Sequence, residues 1–467
     1  MKKLLLLCFL SLFLFLNSNA THSLGGYITY EHISSFNYEV TVIIYADPNS
    51  PANGRKETLI SWGDGNKDSI KIVSEVLVEN DLLKRTFKKT HTYPGGGDYI
   101  ISLEEPNRNS GIDNISNSVN IPLYLETVLT ISPFVAIKNK SITLGADPIA
   151  FAKMGEDFRQ NLVVAEPDED NLIFELVETK GTNGAIAPGF FFPDSVSINR
   201  KNGEFLWKSP QQSGLFIFTI KVTECRDGKH IGSNLIDFQV RVGSIPTKSR
   251  FLETSTLPTD TNNNYEVFLN PNDSLELKIA FFDSLLNPLE LNAFSDAFDE
   301  MNKPSFMEDS LNTGYIRKTF KWNTNSSNLR CKPYLFTFRG SSAINLQKIE
   351  KDLSLVIYVR DQSLFNCDSA CSDFINSVDN KFDRLAPKVV IYPNPFVEMA
   401  TIKLADNSIM NGTFILYDSY GRKVTTIEVM NKTEIPLERK HLSSGIYYYS
   451  IESEQNYLTS GKLIITD

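Results

Sequence analysis

The sequence predicts an all-β protein: tandem β-sandwiches with a smaller β-sandwich at the C-terminal end. Three observations carry that reading. Apolar and polar residues alternate over strand-length windows. Phe216, Phe218, Ile220 and Val222 share one face of a segment whose other face holds Thr219, Lys221 and Thr223. Ile236, Phe238, Val240 and Val242 repeat the pattern, as do Leu353, Leu355, Ile357 and Val359. Period two over such lengths describes half-buried strands. Turn residues punctuate these runs at Asn53–Gly54, Gly63–Gly65, Pro94–Gly97, Asn202–Gly203 and Asp227–Gly228, the spacing expected of sandwiches. A diverged repeat is also visible. Phe205-Leu206-Trp207 precedes two alternating strands, and Phe320-Lys321-Trp322 precedes two more at a matching distance. Each Trp is expected to fill a core between two sheets.

Long amphipathic helices are absent from the pattern, and 292–301 reads as one short helix. The first twenty residues read as a signal peptide. Lys2 and Lys3 precede an apolar run at 4–16, and Ser18 and Ala20 suit cleavage before Thr21. No later segment is apolar enough for a transmembrane helix after signal cleavage. Export leaves Cys225, Cys331, Cys367 and Cys371, which allow two disulfides in any of three pairings. The Cys367/Cys371 spacing has no Cys/His partner pair nearby to make a zinc site. A net charge of −10 argues against nucleic acid, whose phosphates need clustered Lys and Arg.

The domain limits follow from these signals. The expected order is a signal peptide at 1–20 and β domains at 21–133, 134–243 and 251–361. A linker at 362–388, which lacks alternation, then leads to a last unit at 389–467.

The first domain carries Trp62-Gly63-Asp64-Gly65 and His91-Thr92-Tyr93. It resembles the polycystic-kidney-disease (PKD) repeat, an immunoglobulin-like sandwich. The pattern implies structural roles: glycines in tight turns, Asp64 bonding local backbone, Tyr93 packing inside. The second domain carries Glu166-Pro167-Asp168-Glu169-Asp170 ahead of a strand, and Asn202-Gly203 ahead of a Trp. It resembles cadherin-like modules of bacterial surface proteins. That resemblance implies Ca²⁺ between domains, with Glu166, Asp168, Asp170 and Asp194 as oxygen donors of the right kind. An acidic, solvated turn is the competing reading, because no glycine separates Asp168 from Asp170 and no EF-hand-type loop is complete. No other cofactor is indicated. The chain as a whole thus reads as tandem immunoglobulin-like β-sandwiches.

The last unit carries Tyr392-Pro393-Asn394-Pro395, then Asp418 ahead of Gly421-Arg422, then Gly445 ahead of Tyr447, then Gly461-Lys462 close to the end. It resembles the C-terminal type A sorting domain of the type IX secretion system of Bacteroidetes. The resemblance implies a partner, the type IX machinery, and a route from the periplasm across the outer membrane to the surface or the medium. Pro393 and Pro395 cannot donate ladder hydrogen bonds, which suits a strand entry or edge.

For the rest of the chain three functions compete. His-Glu-x-x-His, Gly-x-Ser-x-Gly, P-loop and dinucleotide signatures are all absent, so the first expectation is a non-enzymatic protein. It would serve adhesion, spacing or partner binding, with a surface polysaccharide or a host or cell-surface ligand as partner. A carbohydrate-binding protein is the alternative, through Gly189–Pro193 or the tyrosines at 447–449. The third is an extracellular hydrolase using paired carboxylates from Asp64, Asp168, Asp170 or Asp194.

Overall fold

The computed structural model describes residues 23–78, 82–131, 139–226, 229–244, 249–252, 257, 259, 265–344, 347–360, 389–404, 411–418, 422–430, 434–452 and 457–466. The signal segment, the linker expected at 362–388, Cys367, Cys371 and Gly421 lie outside them. The chain divides into two compact units. Strands β1–β24 build the larger and β25–β31 the smaller.

The first module holds β1 (Ser23–Ser34), β2 (Asn37–Ala46), β3 (Glu57–Ser61), β4 (Lys67–Val78), β5 (Leu82–Thr92), β6 (Gly97–Glu105) and β7 (Leu123–Ile131). The second holds β8 (Thr143–Leu144), β9 (Ile149–Lys153), β10 (Phe158–Gln160), β11 (Val164–Ala165), β12 (Asn171–Val177), β13 (Val196–Ile198), β14 (Phe205–Trp207), β15 (Gly214–Arg226) and β16 (Lys229–Gly243). One eleven-stranded sheet runs through both, in the order β1-β2-β5-β4-β3-β6-β7-β16-β15-β12, with β9 also paired to β16. Residue 133 therefore does not separate two sheets: β7 ends at Ile131 and pairs with β16 through Thr127, Val128 and Leu129.

Strand β1 also meets β16, at Gly26 opposite Asp237. Glycine at 25 permits the approach, since a Cβ there would lie 2.6 Å from the Asp237 carbonyl oxygen. The core is likewise shared. Leu24, Tyr27 and Tyr45 of the first module belong to the same buried cluster as Phe205, Trp207, Phe216, Phe218 and Phe238 of the second.

The third module holds β17 (Ser249–Leu252), β18 (Tyr265–Leu269), β19 (Ser274–Asp283), β20 (Leu289–Phe294), β21 (Ser305–Asn312), β22 (Tyr315–Asn323), β23 (Tyr334–Ile344) and β24 (Gln347–Val359). Its two four-stranded sheets, β17-β19-β22-β21 and β18-β24-β23-β20, enclose Trp322, Phe320, Phe336 and Phe338. The short helix expected over 292–301 contracts to a 3₁₀ turn, Asp296–Asp299, capped by the Ser295 side chain. Strand β20 claims the residues before it by pairing with β23.

The repeat is real in three dimensions. In the second module β16 pairs in parallel with β9 and antiparallel with β15, and β15 pairs with β12. In the third, β24 does the same with β18 and β23, and β23 with β20. Both tryptophans are buried among aromatic rings, in edge-to-face contact with Phe216 and with Tyr334 respectively, a geometry that adds to their burial energy. Cys225 and Cys331 are each disulfide-bonded.

The smaller unit holds β25 (Val389–Tyr392), β26 (Met399–Leu404), β27 (Asn411–Tyr417), β28 (Lys423–Met430), β29 (Glu434–Glu438), β30 (Gly445–Glu452) and β31 (Tyr457–Ile465). Sheets β25-β26-β29 and β28-β27-β30-β31 face a common core that includes Ile402, Phe414, Leu437, Tyr449 and Leu463. Among the described residues, no helix is long and apolar enough to cross a membrane.

Candidate functional site

The acidic stretch before β12 folds back on itself. Glu169 takes a left-handed backbone conformation, φ 63°, and the oxygens of Glu166, Asp168 and Asp170 converge within 4.8 Å. Asp194 is not among the three. The Glu166 carboxylate accepts the backbone N–H of Asp168 at 3.0 Å and that of Asp170. Asp168 accepts the Lys140 N–H at 2.6 Å. Arg226, at the end of β15, donates to both Asp170 oxygens, from Nε at 2.6 Å and Nη2 at 2.7 Å. Lys332 of the third module stands 3.6 Å from Glu166. Burial raises the Glu166 pKa, against the lowering effect of the Asp168 N–H and Lys332.

Beside this group lies Glu224, fully buried. Its oxygens accept Asn139 Nδ2 at 2.7 Å and the Ile142 N–H at 2.9 Å. Burial, with a contribution from the Glu166 and Asp170 charges, pushes its pKa up to about 8. The sequence reading missed Glu224, Arg226, Asn139 and Lys332. A signal for the first two was present: they follow Phe216, Phe218, Ile220 and Val222 at the same parity, so β15 carries two charges in the register of its apolar face.

In the first module Asp64 and His91 meet at 2.8 Å. The His91 ring stacks on Trp62, with centroids 4.4 Å apart and planes 3° apart. Trp62 in turn donates to Asp68 at 3.0 Å. Burial raises the Asp64 pKa, but the His91 bond and the Asn66 N–H outweigh it and leave the carboxyl below its ordinary value. Gly63 and Gly65 turn the chain at φ 84° and 94°.

In the smaller unit, the motif at 392–395 is tied to the last strand. Asn394 Oδ1 accepts the Ile464 N–H at 2.8 Å, and Phe396 exchanges backbone bonds with Ile464 and Thr466 at 3.1 and 2.9 Å. Phe396 is buried, whereas Tyr392 is 44% exposed. Arg422 bonds back to Asp418, through Nε at 2.7 Å and its N–H at 2.9 Å. Tyr447 is buried, and its hydroxyl donates to the Ser443 carbonyl at 2.8 Å. Gly445 opens β30, while Gly461 and Lys462 lie opposite Tyr449 and Tyr448 in the β30–β31 ladder.

The reading from sequence missed Arg439. Its guanidinium donates to the carbonyls of Leu442, Val397 and Thr466 and to Ser444 Oγ. It thus joins two turns to the chain end.

No curated protein matches the chain. Among solved structures, the chain is similar to the N-terminal eight Ig domains of Down Syndrome Cell Adhesion Molecule, at 11% identity, over 95% of this chain and 49% of that one, with a TM-score of 0.17. An endo-fucoidan hydrolase of glycoside hydrolase family 107 aligns at 12% identity over 69% of this chain and 42% of that one, TM-score 0.17. The sialic acid binding region of a Streptococcus Sanguinis SK1 adhesin aligns at 8% identity over 64% and 98%, TM-score 0.17. The chain thus spans about half, or less, of the first two. At such TM-scores none of the three bears on function. The family comparison is specific: residues 390–466 match the secretion system C-terminal sorting domain. The chain is therefore a type IX secretion cargo, exported across the outer membrane to the cell surface or the medium.

Proposed function

We propose that the exported protein is non-enzymatic and acts as a stiff multi-module spacer or adhesin, with residues 389–467 as its address. The observation that carries this reading is where the buried charge is spent. Arg108 and Asp237, both buried, pair at 2.8 and 2.6 Å between the first and second modules. Arg339 and Asp352 pair at 2.8 and 2.7 Å and hold the backbone of Asn161 between the second and third. These ionic groups lock modules to one another, which suits a protein whose task is to present surfaces at a distance.

The test has two arms. Full-length protein and a truncation ending at Pro387 are expressed in the native organism and fractionated. Full-length protein at the surface or in the medium, with the truncation retained in the periplasm, supports the address; equal export of both overturns it. The released protein is then assayed for hydrolysis of polysaccharide and peptide substrates, where turnover would overturn the non-enzymatic reading.

One observation favours carbohydrate binding as a second reading. Phe191 and Phe192 are 49% and 37% exposed, and Phe190 packs edge-to-face on Phe192. Such rings can stack on sugar faces. The tyrosines at 447–449 do not share this feature, since all three are buried. A glycan screen of the released protein against a Phe191→Ala/Phe192→Ala variant decides it: binding lost in the variant supports the reading, and no binding by either removes it.

A further inference from the structure

The resemblance of the second module to cadherin-like modules implies Ca²⁺ at Glu166, Asp168, Asp170 and Asp194, of which the first three converge. Ca²⁺ takes six to eight oxygen donors at roughly 2.3–2.6 Å. The three carboxylates do not fit that demand, because N–H donors already hold five of their six oxygens. Glu166 Oε1 accepts the Asp168 N–H, and Oε2 accepts the Asp170 N–H and faces Lys332. Asp168 Oδ2 accepts the Lys140 N–H and lies 3.5 Å from Arg226. Both Asp170 oxygens are taken by Arg226, and Asn139 Oδ1 also lies 3.3 Å from that guanidinium. A metal entering the cluster would break several charge-assisted hydrogen bonds to gain its ligands.

We infer that Arg226 and Lys332 are the cations of this junction, clamping the three modules together without metal. The path is continuous. Tyr30 of β1 receives Asn139 Nδ2 on its hydroxyl at 2.9 Å, and its N–H donates to Ser141 Oγ at 2.7 Å. Asn139 also donates to Glu224 and meets Arg226. Arg226 grips Asp170 and reaches Asp168, and Glu166 binds the N–H groups of both. Lys332, from the loop before β23, closes the chain on Glu166 and stands 4.0 Å from Asp296 of its own module. A guanidinium suits this place better than a point cation because its planar fork matches a carboxylate edge while a further N–H remains for Asn139.

The experiment uses the full-length protein, with its unfolding midpoint recorded in millimolar Ca²⁺ and in excess EGTA, and with Tb³⁺ luminescence as a direct probe of a lanthanide-accessible site. Wild type is expected to unfold at the same temperature in both buffers, within about 1 °C, and to show no saturable Tb³⁺ signal. Arg226→Met is expected to lower the midpoint by about 5 °C or more, with Lys332→Met lowering it less. If Arg226→Met does not fold, Arg226→Lys gives the same test at smaller amplitude, since an ammonium cannot hold both Asp170 oxygens and Asn139 at once. A wild-type midpoint that rises in Ca²⁺, or a saturable Tb³⁺ signal that Asp170→Asn abolishes, overturns the inference. So does an unchanged midpoint across the Arg226 and Lys332 variants.

Discussion

The two junctions of the larger unit solve one problem in different ways. Between the first and second modules, backbone ladders continue: β7 and β1 both pair with β16. The Arg108–Asp237 ion pair then sits beneath that continuous sheet. Between the second and third, no strand of one pairs with a strand of the other among the described residues. The contact instead rests on side chains that reach backbone. Asp352 accepts the Asn161 N–H at 2.6 Å, Arg339 donates to the Asn161 carbonyl at 2.7 Å, and Glu204 accepts the Ser354 N–H at 3.1 Å. Lys351–Glu156 and Lys201–Glu266 add ion pairs at 3.3 and 3.0 Å. A shared sheet and a shared core couple two modules into one cooperative unit, whereas a side-chain seam leaves two units that can open separately.

That contrast breaks most sharply at Asp237. Asp237→Leu leaves Arg108 charged and buried, a cost of about 3–5 kcal/mol. The loss is expected across the first and second modules together, as one shifted transition in urea followed by tryptophan fluorescence. Replacing both partners, Arg108→Met with Asp237→Leu, should recover most of it. Separate transitions for the two modules would refute the claim of one cooperative unit.

Arg339→Met comes next, at about 3 kcal/mol. Here the expected change is confined to the third module, read as faster amide exchange in β23 and β24 with β15 and β16 unaltered. Asn161→Ala removes side-chain bonds to Asn202, Ser354 and the Val163 N–H and keeps its own backbone contacts, so about 1–2 kcal/mol is expected in the same denaturation experiment.

A separate test reads the pH dependence of the first junction through Glu224. Its carboxyl titrates near 4.5 when unfolded and about 8 when folded. The unfolded state therefore releases this proton first, and the group's contribution to stability falls as pH rises from 4.5 to about 8. Glu224→Gln should flatten that slope. A slope unchanged in the variant would show that Glu224 is not its source.

Much of the fold was legible because its signals are local. Alternation and turn residues marked most of the long strands. The spacing from each Trp to its following hairpin disclosed the repeat, and both rings occupy cores as expected. The polar faces were read less well. Thr219 and Thr223 were expected on a half-exposed face, yet they are 4% and 5% exposed. Asn114 of the preceding module covers this face through bonds to Ile217, and Thr179 meets Thr219. Ser354 and Asp352 are buried in the same way beneath Asn161 and Glu204. Alternation reports that one face is apolar; it does not report whether a neighbouring module covers the other.

By itself the sequence determined the β class, the tryptophan-centred cores and the C-terminal address. Each rests on residues a few positions apart, where strand geometry makes neighbours predictable. Only the tertiary structure decided which charges meet. Arg108 lies 129 residues from Asp237, and Asn161 lies 191 from Asp352. The partner of a buried charge is set by which surfaces pack together, because desolvation penalises every arrangement that leaves it alone. The same physics sets Arg226, from the end of β15, and Lys332, from the next module, against an acidic stretch whose sequence allowed either a solvated turn or a calcium site.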